Sequence, residues 1–287
     1  MRICESVEQM RTARVLMREG RRVGLVPTMG ALHEGHLSLV RAARERSDFV
    51  VVSIFVNPLQ FGPNEDLGKY PRTFERDCEL LEREKVDTVF APSAADMYPK
   101  DALTYVTVEG MSGRLCGRSR PGHFRGVTTV VAKLFHIVQP ELAFFGQKDA
   151  AQCAIIRRMV RDLNLPVEIV VGPIVREPDG LAMSSRNAYL GQQERESALV
   201  LYRALTAVKE CFNQGERSAG KLAEAGKQVV LQEPAASLDY LEIVDPDSLE
   251  SIGAVKETAL VAVAALVGNT RLIDNIVLSP DEKIRSV

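Results

Sequence analysis

Apolar and polar positions follow two different regimes along this chain. As far as Pro173, short, mostly apolar runs alternate with amphipathic stretches. The runs at residues 23–26, 49–56, 88–91, 142–145 and 167–171 predict strands, and residues 104–108 alternate like a half-exposed one. Between them, residues 35–46, 74–84, 126–137 and a segment starting near 150 carry helical spacing. Strands that are apolar on both faces and separated by helices predict a Rossmann-like α/β fold, a doubly wound parallel sheet with helices on both faces. Ligands of such sheets bind beyond the carboxyl ends of the strands.

The pattern changes after Pro173. Leu199, Tyr202, Leu205, Val208 and Phe212 recur on one helical face, and three strand-like runs follow at 240–244, 259–266 and 271–276. A helix followed by sequential strands predicts a smaller α+β unit with an antiparallel sheet. The expected division is therefore a Rossmann-like domain over residues 1–174 and a smaller C-terminal lid domain over 175–287, with 279–287 as a loosely held tail.

At 287 residues the chain is long enough for two moderate cores. A net charge of −2 offers no basic face for nucleic acid. The best apolar stretch, 259–267, is strand-sized rather than membrane-spanning, and residues 1–5 lack the layout of a signal peptide. The five cysteines are scattered, with no C-x-x-C pair, which predicts a reduced, cytoplasmic protein without structural zinc.

The most informative stretch joins the 23–26 strand to the 35–46 helix: Pro27-Thr28-Met29-Gly30-Ala31-Leu32-His33-Glu34-Gly35-His36. A helix N-terminus carries unpaired N–H groups and partial positive charge, so it attracts phosphate. Gly30 and Gly35 allow close approach of the backbone to a ligand. Imidazoles at that end are biased towards the neutral form, so each can donate a hydrogen bond to a phosphoryl oxygen. A metal site is the weaker reading, because i,i+3 histidines need further ligands that the neighbourhood does not supply.

Other candidates also lie just past expected strand ends. Gln60, in Asn57-Pro58-Leu59-Gln60-Phe61-Gly62, carries an amide able to donate to and accept from a hydroxy acid. In Phe145-Gly146-Gln147-Lys148-Asp149, Lys148 is placed to neutralise phosphate and Asp149 to hold a ribose hydroxyl, with Gln152 one helical step further on. Taken alone, an exposed Lys–Asp pair contributes little. Met183-Ser184-Ser185-Arg186 combines hydroxyls with a guanidinium fork suited to phosphate, although consecutive serines also serve as helix caps. Arg120-Pro121-Gly122-His123 clusters cations before the 126–137 helix, which suits a carboxylate or pyrophosphate as well as a solvated turn. Asp77 is read as a surface residue on a polar helix that could also touch a magnesium-bound water, and His136 as structural.

Taken in order, these segments resemble the pantothenate synthetases, the family of ATP-dependent pantoate–β-alanine ligases. The resemblance runs over nearly the whole chain, through Val26-Pro27-Thr28-Met29-Gly30 with His33-Glu34-Gly35-His36, Ser53 to Phe61, Tyr70-Pro71-Arg72-Thr73, Arg120 to Phe124, Phe145 to Asp149, and Gly180 to Asn187. The family belongs to the nucleotidyltransferases, whose HIGH-type and KMSKS-type motifs correspond here to His33–His36 and to Met183, Ser184, Ser185 and Arg186.

The resemblance implies two half-reactions: pantoate attacks the α-phosphorus of ATP to give pantoyl adenylate, and β-alanine then displaces AMP. It implies ATP contacts from Met29, Gly30, Ala31, Leu32, His33, Glu34, Gly35 and His36, with His36 the family's proton donor. Further ATP contacts fall to Gly146, Gln147, Lys148 and Asp149, to Val175 at the adenine, and to Met183, Ser184, Ser185 and Arg186 at the phosphates. Gln60 and Gln152 would hold pantoate, with Arg120 and His123 beside them. Magnesium would accompany ATP, and the chain would form a homodimer. Against it stand a different nucleotidyltransferase, which would not need the Gln60/Gln152 pair, and a non-catalytic nucleotide-binding protein, which would not need His36, Lys148 and Arg186 together.

Overall fold

The computed structural model describes residues 1–17, 20–63 and 65–280; residues 281–287, most of the expected tail, lie outside them. In chain order the first part forms β1 (Arg2–Cys4), α1 (Val7–Leu16), β2 (Val23–Thr28), α2 (Glu34–Arg46), β3 (Phe49–Ile54), α3 (Phe74–Arg83), β4 (Thr88–Phe90), α4 (Ala94–Met97), α5 (Cys116–Ser119), α6 (His123–Val138), β5 (Leu142–Gly146), α7 (Ala150–Asp162) and β6 (Glu168–Gly172). The later part forms α8 (Gln192–Ala198), α9 (Val200–Asn213), α10 (Ala219–Leu231), β7 (Ala236–Val244), β8 (Ala259–Val267) and β9 (Thr270–Leu278). Contacts gather these residues into two compact units. The larger takes residues 1–112, 120–146 and 155–173, and the smaller takes 113–119, 147–154 and 174–287.

β1 to β6 make one parallel sheet in the order β1-β4-β3-β2-β5-β6, and β7-β8-β9 make an antiparallel one. This is the expected fold class. The long apolar runs are the central strands, where both faces are covered and a polar residue would lose its water without gaining a partner. Val26, Val50, Val52, Val89, Leu142 and Phe144 pack with Leu39 and Val40 of α2 and Leu81 of α3. From β2 the chain proceeds through β3 to β4 on one side, then crosses to the other side for β5 and β6. The order therefore reverses between β2 and β5, and the crevice beyond their carboxyl ends is where such sheets take ligands.

In the smaller unit Leu201, Leu205, Val208 and Phe212 of α9 and Leu222 and Val230 of α10 close over Leu241, Val261 and Val263. Each fully buried Leu or Val contributes about 1.5–3 kcal/mol. α10 was not expected from the apolar pattern, because Gly226 interrupts it. That glycine is what lets the helix lie close, since a Cβ there would come within 2.6 Å of Leu241 and 2.7 Å of Val208. β1 and α1 were also missed: β1 has only three residues, too few for alternation to show, and α1 buries only Met10 and Ala13.

One strand expectation fails. Residues 104–108 form no regular element and pair with no strand among the described residues. Val106 instead gives its N–H to Thr129 Oγ1 (3.0 Å) and accepts from Thr128 Oγ1 (2.6 Å), so α6 hydroxyls take the place of a sheet ladder. Among the described residues no helix is long and apolar enough to cross a membrane.

Candidate active site

In the larger unit the turn from β2 into α2 is closed by its own side chains. His33 is the N-cap of α2, and its Nδ1 accepts from Gly35 N at 3.2 Å. His36 reaches back, so that its Nδ1 accepts from His33 N at 3.4 Å. This is a reciprocal capping box built from two histidines, whose rings lie 4.1 Å apart. An Nδ1 that accepts carries no proton, so each neutral ring bears its hydrogen on Nε2 and can donate from there.

The same contacts revise one expectation. The start of α2 does not offer a row of unpaired amides to phosphate. Gly30 N donates to Thr28 Oγ1 (3.2 Å), Ala31 N to Asp77 Oδ2 (2.8 Å) and Leu32 N to Asp77 Oδ1 (2.9 Å), and the amides of His33 and Gly35 are used by the cap. The imidazole Nε2 atoms thus become the donors at this helix end, with the helix dipole behind them.

Asp77 is consequently not a surface residue: it is 1% exposed, and Thr73 Oγ1 also donates to it at 3.1 Å. Its carboxylate is committed to the turn, which corrects the surface reading and leaves it poorly placed to meet a hydrated magnesium. The brace suits a turn in which Gly30 (φ +82°) and Ala31 (φ +51°) both adopt left-handed backbone. Space is short as well, since a Cβ on Gly30 would sit 3.1 Å from both Asp77 Oδ2 and Ile54 Cγ2. Leu32 is buried in the core, and the Glu34 carboxylate hydrogen-bonds Arg41, which lowers its pKa. The buried Leu32 can meet a ligand only through its backbone.

Gln60 lies in the single turn Pro58–Gln60 after β3. Its Nε2 is 3.0 Å from Met29 Sδ, which brings the glutamine against the β2 turn. Asn57, 1% exposed and not singled out from the sequence, sets the amide's orientation. Its Nδ2 donates to Gln60 Oε1 (3.1 Å) and Gly126 O (3.0 Å), while its Oδ1 accepts from Tyr98 O–H (2.8 Å). Burial pushes the Tyr98 phenol well above its ordinary pKa, so it remains a donor. An Asn directly before a Pro, after a buried strand, was the available signal.

Arg120 and His123 do not offer their charge to an anion in this arrangement. Arg120 binds Glu65 with two hydrogen bonds (2.9 and 2.5 Å) and donates to Gln60 O at 3.2 Å. His123 Nδ1 meets the same carbonyl at 2.8 Å, and its Nε2 lies 3.0 Å from Arg120 Nη1. The chemistry of the partners makes Nδ1 the donor and Nε2 the acceptor. Burial alone would raise the Glu65 pKa, but the bonds and charge of Arg120 outweigh it and hold the carboxyl below its ordinary value. Both residues therefore brace the Gln60 backbone. α6 completes the brace at Gly126, where a Cβ would fall 2.3 Å from Leu59 O and 2.6 Å from Gln60 N.

In the smaller unit a one-turn helix, Gln147–Asp149, follows β5, with Lys148 Nζ 3.7 Å from Asp149 Oδ1. Gln152 lies half-buried in the first turn of α7, and Cys153 beside it is buried. Val175 O accepts from Met183 N at 3.0 Å, which joins the two parts of the segment assigned to adenine and phosphates. Ser184 caps the turn Ser185–Tyr189 through Arg186 N (3.3 Å), so one of the two serines is a cap. His136 is exposed on α6, away from these groups in sequence and burial. Among the described residues no group of three or more His, Cys, Asp or Glu side chains is placed to hold a metal ion.

In the larger unit the candidate groups of the β2 and β3 turns lie beyond the carboxyl ends of parallel strands, where α/β sheets of this class take ligands. Comparison with known proteins is specific. The family model for pantoate-beta-alanine ligase matches residues 2–277. A pantothenate synthetase of Koribacter versatilis is 61% identical over 97% of this chain and 96% of its own length. The crystal structure of pantothenate synthetase from Thermus thermophilus matches with a TM-score of 0.91 and 49% identity, over 96% of this chain and 99% of that one. A pantoate-beta-alanine ligase of Francisella tularensis, solved in complex with beta-gamma ATP and beta-alanine, matches with a TM-score of 0.76 and 33% identity over 96% and 97%. The chain belongs to the pantoate–β-alanine ligase family.

Proposed function

We propose that this chain condenses pantoate with β-alanine through an enzyme-bound pantoyl adenylate, releasing pyrophosphate and then AMP. The observation that carries this reading is the β2 turn. Its amides are used internally, its two histidines are locked as Nε2–H donors, and Gln60 is held against it at Met29.

In the first half-reaction a pantoate carboxylate oxygen attacks the α-phosphorus of ATP and the bond to pyrophosphate breaks. No proton moves at phosphorus, so catalysis consists of stabilising added negative charge on the phosphoryl oxygens. His36, with His33 positioning ATP beside it, supplies preorganised donors in the larger unit. Lys148, Ser184, Ser185 and Arg186 supply them in the smaller one. A donor aimed at developing charge is worth about 2.7–4 kcal/mol. Met29, Gly30, Ala31 and Gly35 complete the ATP contact, with the backbones of Leu32 and Glu34. Gly146 and Gln147 also contact ATP, Asp149 lies near the ribose, Met183 meets the phosphates and the Val175 backbone the adenine. Magnesium enters as part of the ATP complex, bound by phosphate oxygens.

Gln60 and Gln152 hold pantoate. Since Asn57 donates to Gln60 Oε1, the Gln60 amide presents Nε2–H to the substrate as a donor. Arg120 and His123 serve the same site by bracing Gln60. In the second half-reaction the β-alanine amine attacks the acyl carbon and AMP leaves with the former carboxylate oxygen. The free thiols suit a reducing cytoplasm, and the family pattern supports a homodimer.

The test is isotope exchange. With pantoate and no β-alanine, labelled pyrophosphate is expected to enter ATP, and AMP is expected only once β-alanine is added. No exchange, or equal exchange with an unrelated hydroxy acid, would sink the proposal.

A further inference from the structure

The turn carrying Lys148, Gln147–Asp149, links β5 to the start of α7. It is also held from β9, where two consecutive residues are both polar and almost fully buried: Asp274 is 4% exposed and Asn275 2%. Burying such groups is unfavourable unless every polar atom is satisfied. Neighbours on a strand point to opposite faces of the sheet, so the two side chains reach different segments.

Asn275 Nδ2 spends both hydrogens on consecutive carbonyls, those of Gln147 and Lys148, each at 2.9 Å. Its Oδ1 accepts from Gln147 Nε2 at 3.1 Å. A flipped amide would face an oxygen towards two carbonyls, so the partners fix one orientation. On the other face Asp274 takes a two-point contact from Arg176, at 2.6 and 2.9 Å, and its Oδ1 also accepts from Asn275 N at 2.7 Å. Arg176 in turn donates to Gly180 O at 2.9 Å and lies over the Tyr202 ring, 4.8 Å from its centre. Val175 and Met183, flanking the antiparallel bridge between Arg176 and Ala182, are joined as well.

We infer that Asn275 is a positioning residue for Lys148, and that Asp274 and Asn275 together form a bracket holding the Lys148 turn in register with residues 175–186. The bracket aligns two phosphate-binding segments that lie far apart in sequence but meet on one strand. The inference rests on the phosphate role proposed for Lys148.

The experiment is a double-mutant cycle of Asn275→Ala and Lys148→Ala on the full-length enzyme. It measures pantoate-dependent pyrophosphate exchange and, separately, amide formation from supplied pantoyl adenylate. Asn275→Ala is expected to slow exchange by about 10²-fold, the scale of a misaligned catalytic group, while amide formation stays close to wild type. The double variant is expected to be no slower than Lys148→Ala alone, because residues acting through one another are not additive. Asn275→Asp keeps the shape and the acceptor but loses both donors, and is expected to follow Asn275→Ala. Equal slowing of both half-reactions, multiplicative losses in the double variant, or loss of the fold in both Asn275 variants overturns the inference. A normal exchange rate in Lys148→Ala instead overturns the role of Lys148 and takes the bracket with it. If Lys148→Ala is slow while the Asn275 variants are not, only the bracket fails.

Discussion

Two turns end two paired strands of one parallel sheet, and they are built by opposite means. The turn after β2 is capped locally: His33 and His36 cap each other across three residues, and Asp77 adds a brace from 46 positions away. The turn after β5 is closed by Asn275, 128 positions from Gln147. One is therefore a motif and the other a tertiary assembly. The first uses up its amides and leaves imidazoles as donors, whereas the second leaves an ammonium whose placement depends on a strand formed much later in the chain.

The contrast can be broken first at His36. His36→Ala is expected to slow pantoate-dependent exchange by about 10²–10³-fold, the effect of losing one donor to a developing oxyanion. Its stability should fall by only about 1 kcal/mol, the size of a lost cap, as urea unfolding would register. A large loss of stability with the remaining activity intact would make the histidine structural.

Asp77→Ala comes next, and it should show the reverse balance. It leaves the Ala31 and Leu32 amides without an acceptor, at a cost of about 3 kcal/mol of unfolding free energy. A loss too small to measure would show that the turn holds itself.

Gly126→Ala is a smaller and more selective perturbation. The added methyl must push Leu59 and Gln60, so pantoate KM is expected to rise about tenfold, within the usual 1–3 kcal/mol of overpacking, while ATP KM stays unchanged. Equal rises in both would place the damage elsewhere.

Glu65→Gln should have the least effect, about 1 kcal/mol or less at neutral pH. The Glu65 pKa is lower in the folded chain than its ordinary 4.5, so the unfolded chain takes up the proton first as pH falls. The stabilisation is thus fully present above pH 4.5 and disappears as the pH drops through the folded value. The difference between wild type and variant in urea unfolding should shrink on acidification. A difference independent of pH would separate Glu65 from Arg120.

These residues also show what a sequence discloses. The parallel sheet was legible because β2, β3 and β5 are apolar on both faces, and His33–His36 because its logic fits within one helical turn. Gln60, Lys148 and the Ser184 turn were legible as positions, but their supports were not. Asn57, Asp77 and Asn275 are polar residues in elements whose burial only the assembled fold decides. The clustered cations Arg120 and His123 suggested an anion, but the pairing of Arg120 with Glu65 across 55 residues could not be read from the sequence. Residues 104–108 alternate as a strand does, yet two α6 threonines took the hydrogen bonds a neighbouring strand would have made.

The adenylate route has one chemical consequence that no direct condensation shares. Pantoate labelled with 18O in its carboxylate, turned over with ATP and β-alanine, should deliver one labelled oxygen to AMP, read by mass spectrometry. AMP without label, with the isotope instead in pyrophosphate, free phosphate or water, would contradict attack of pantoate on the α-phosphorus.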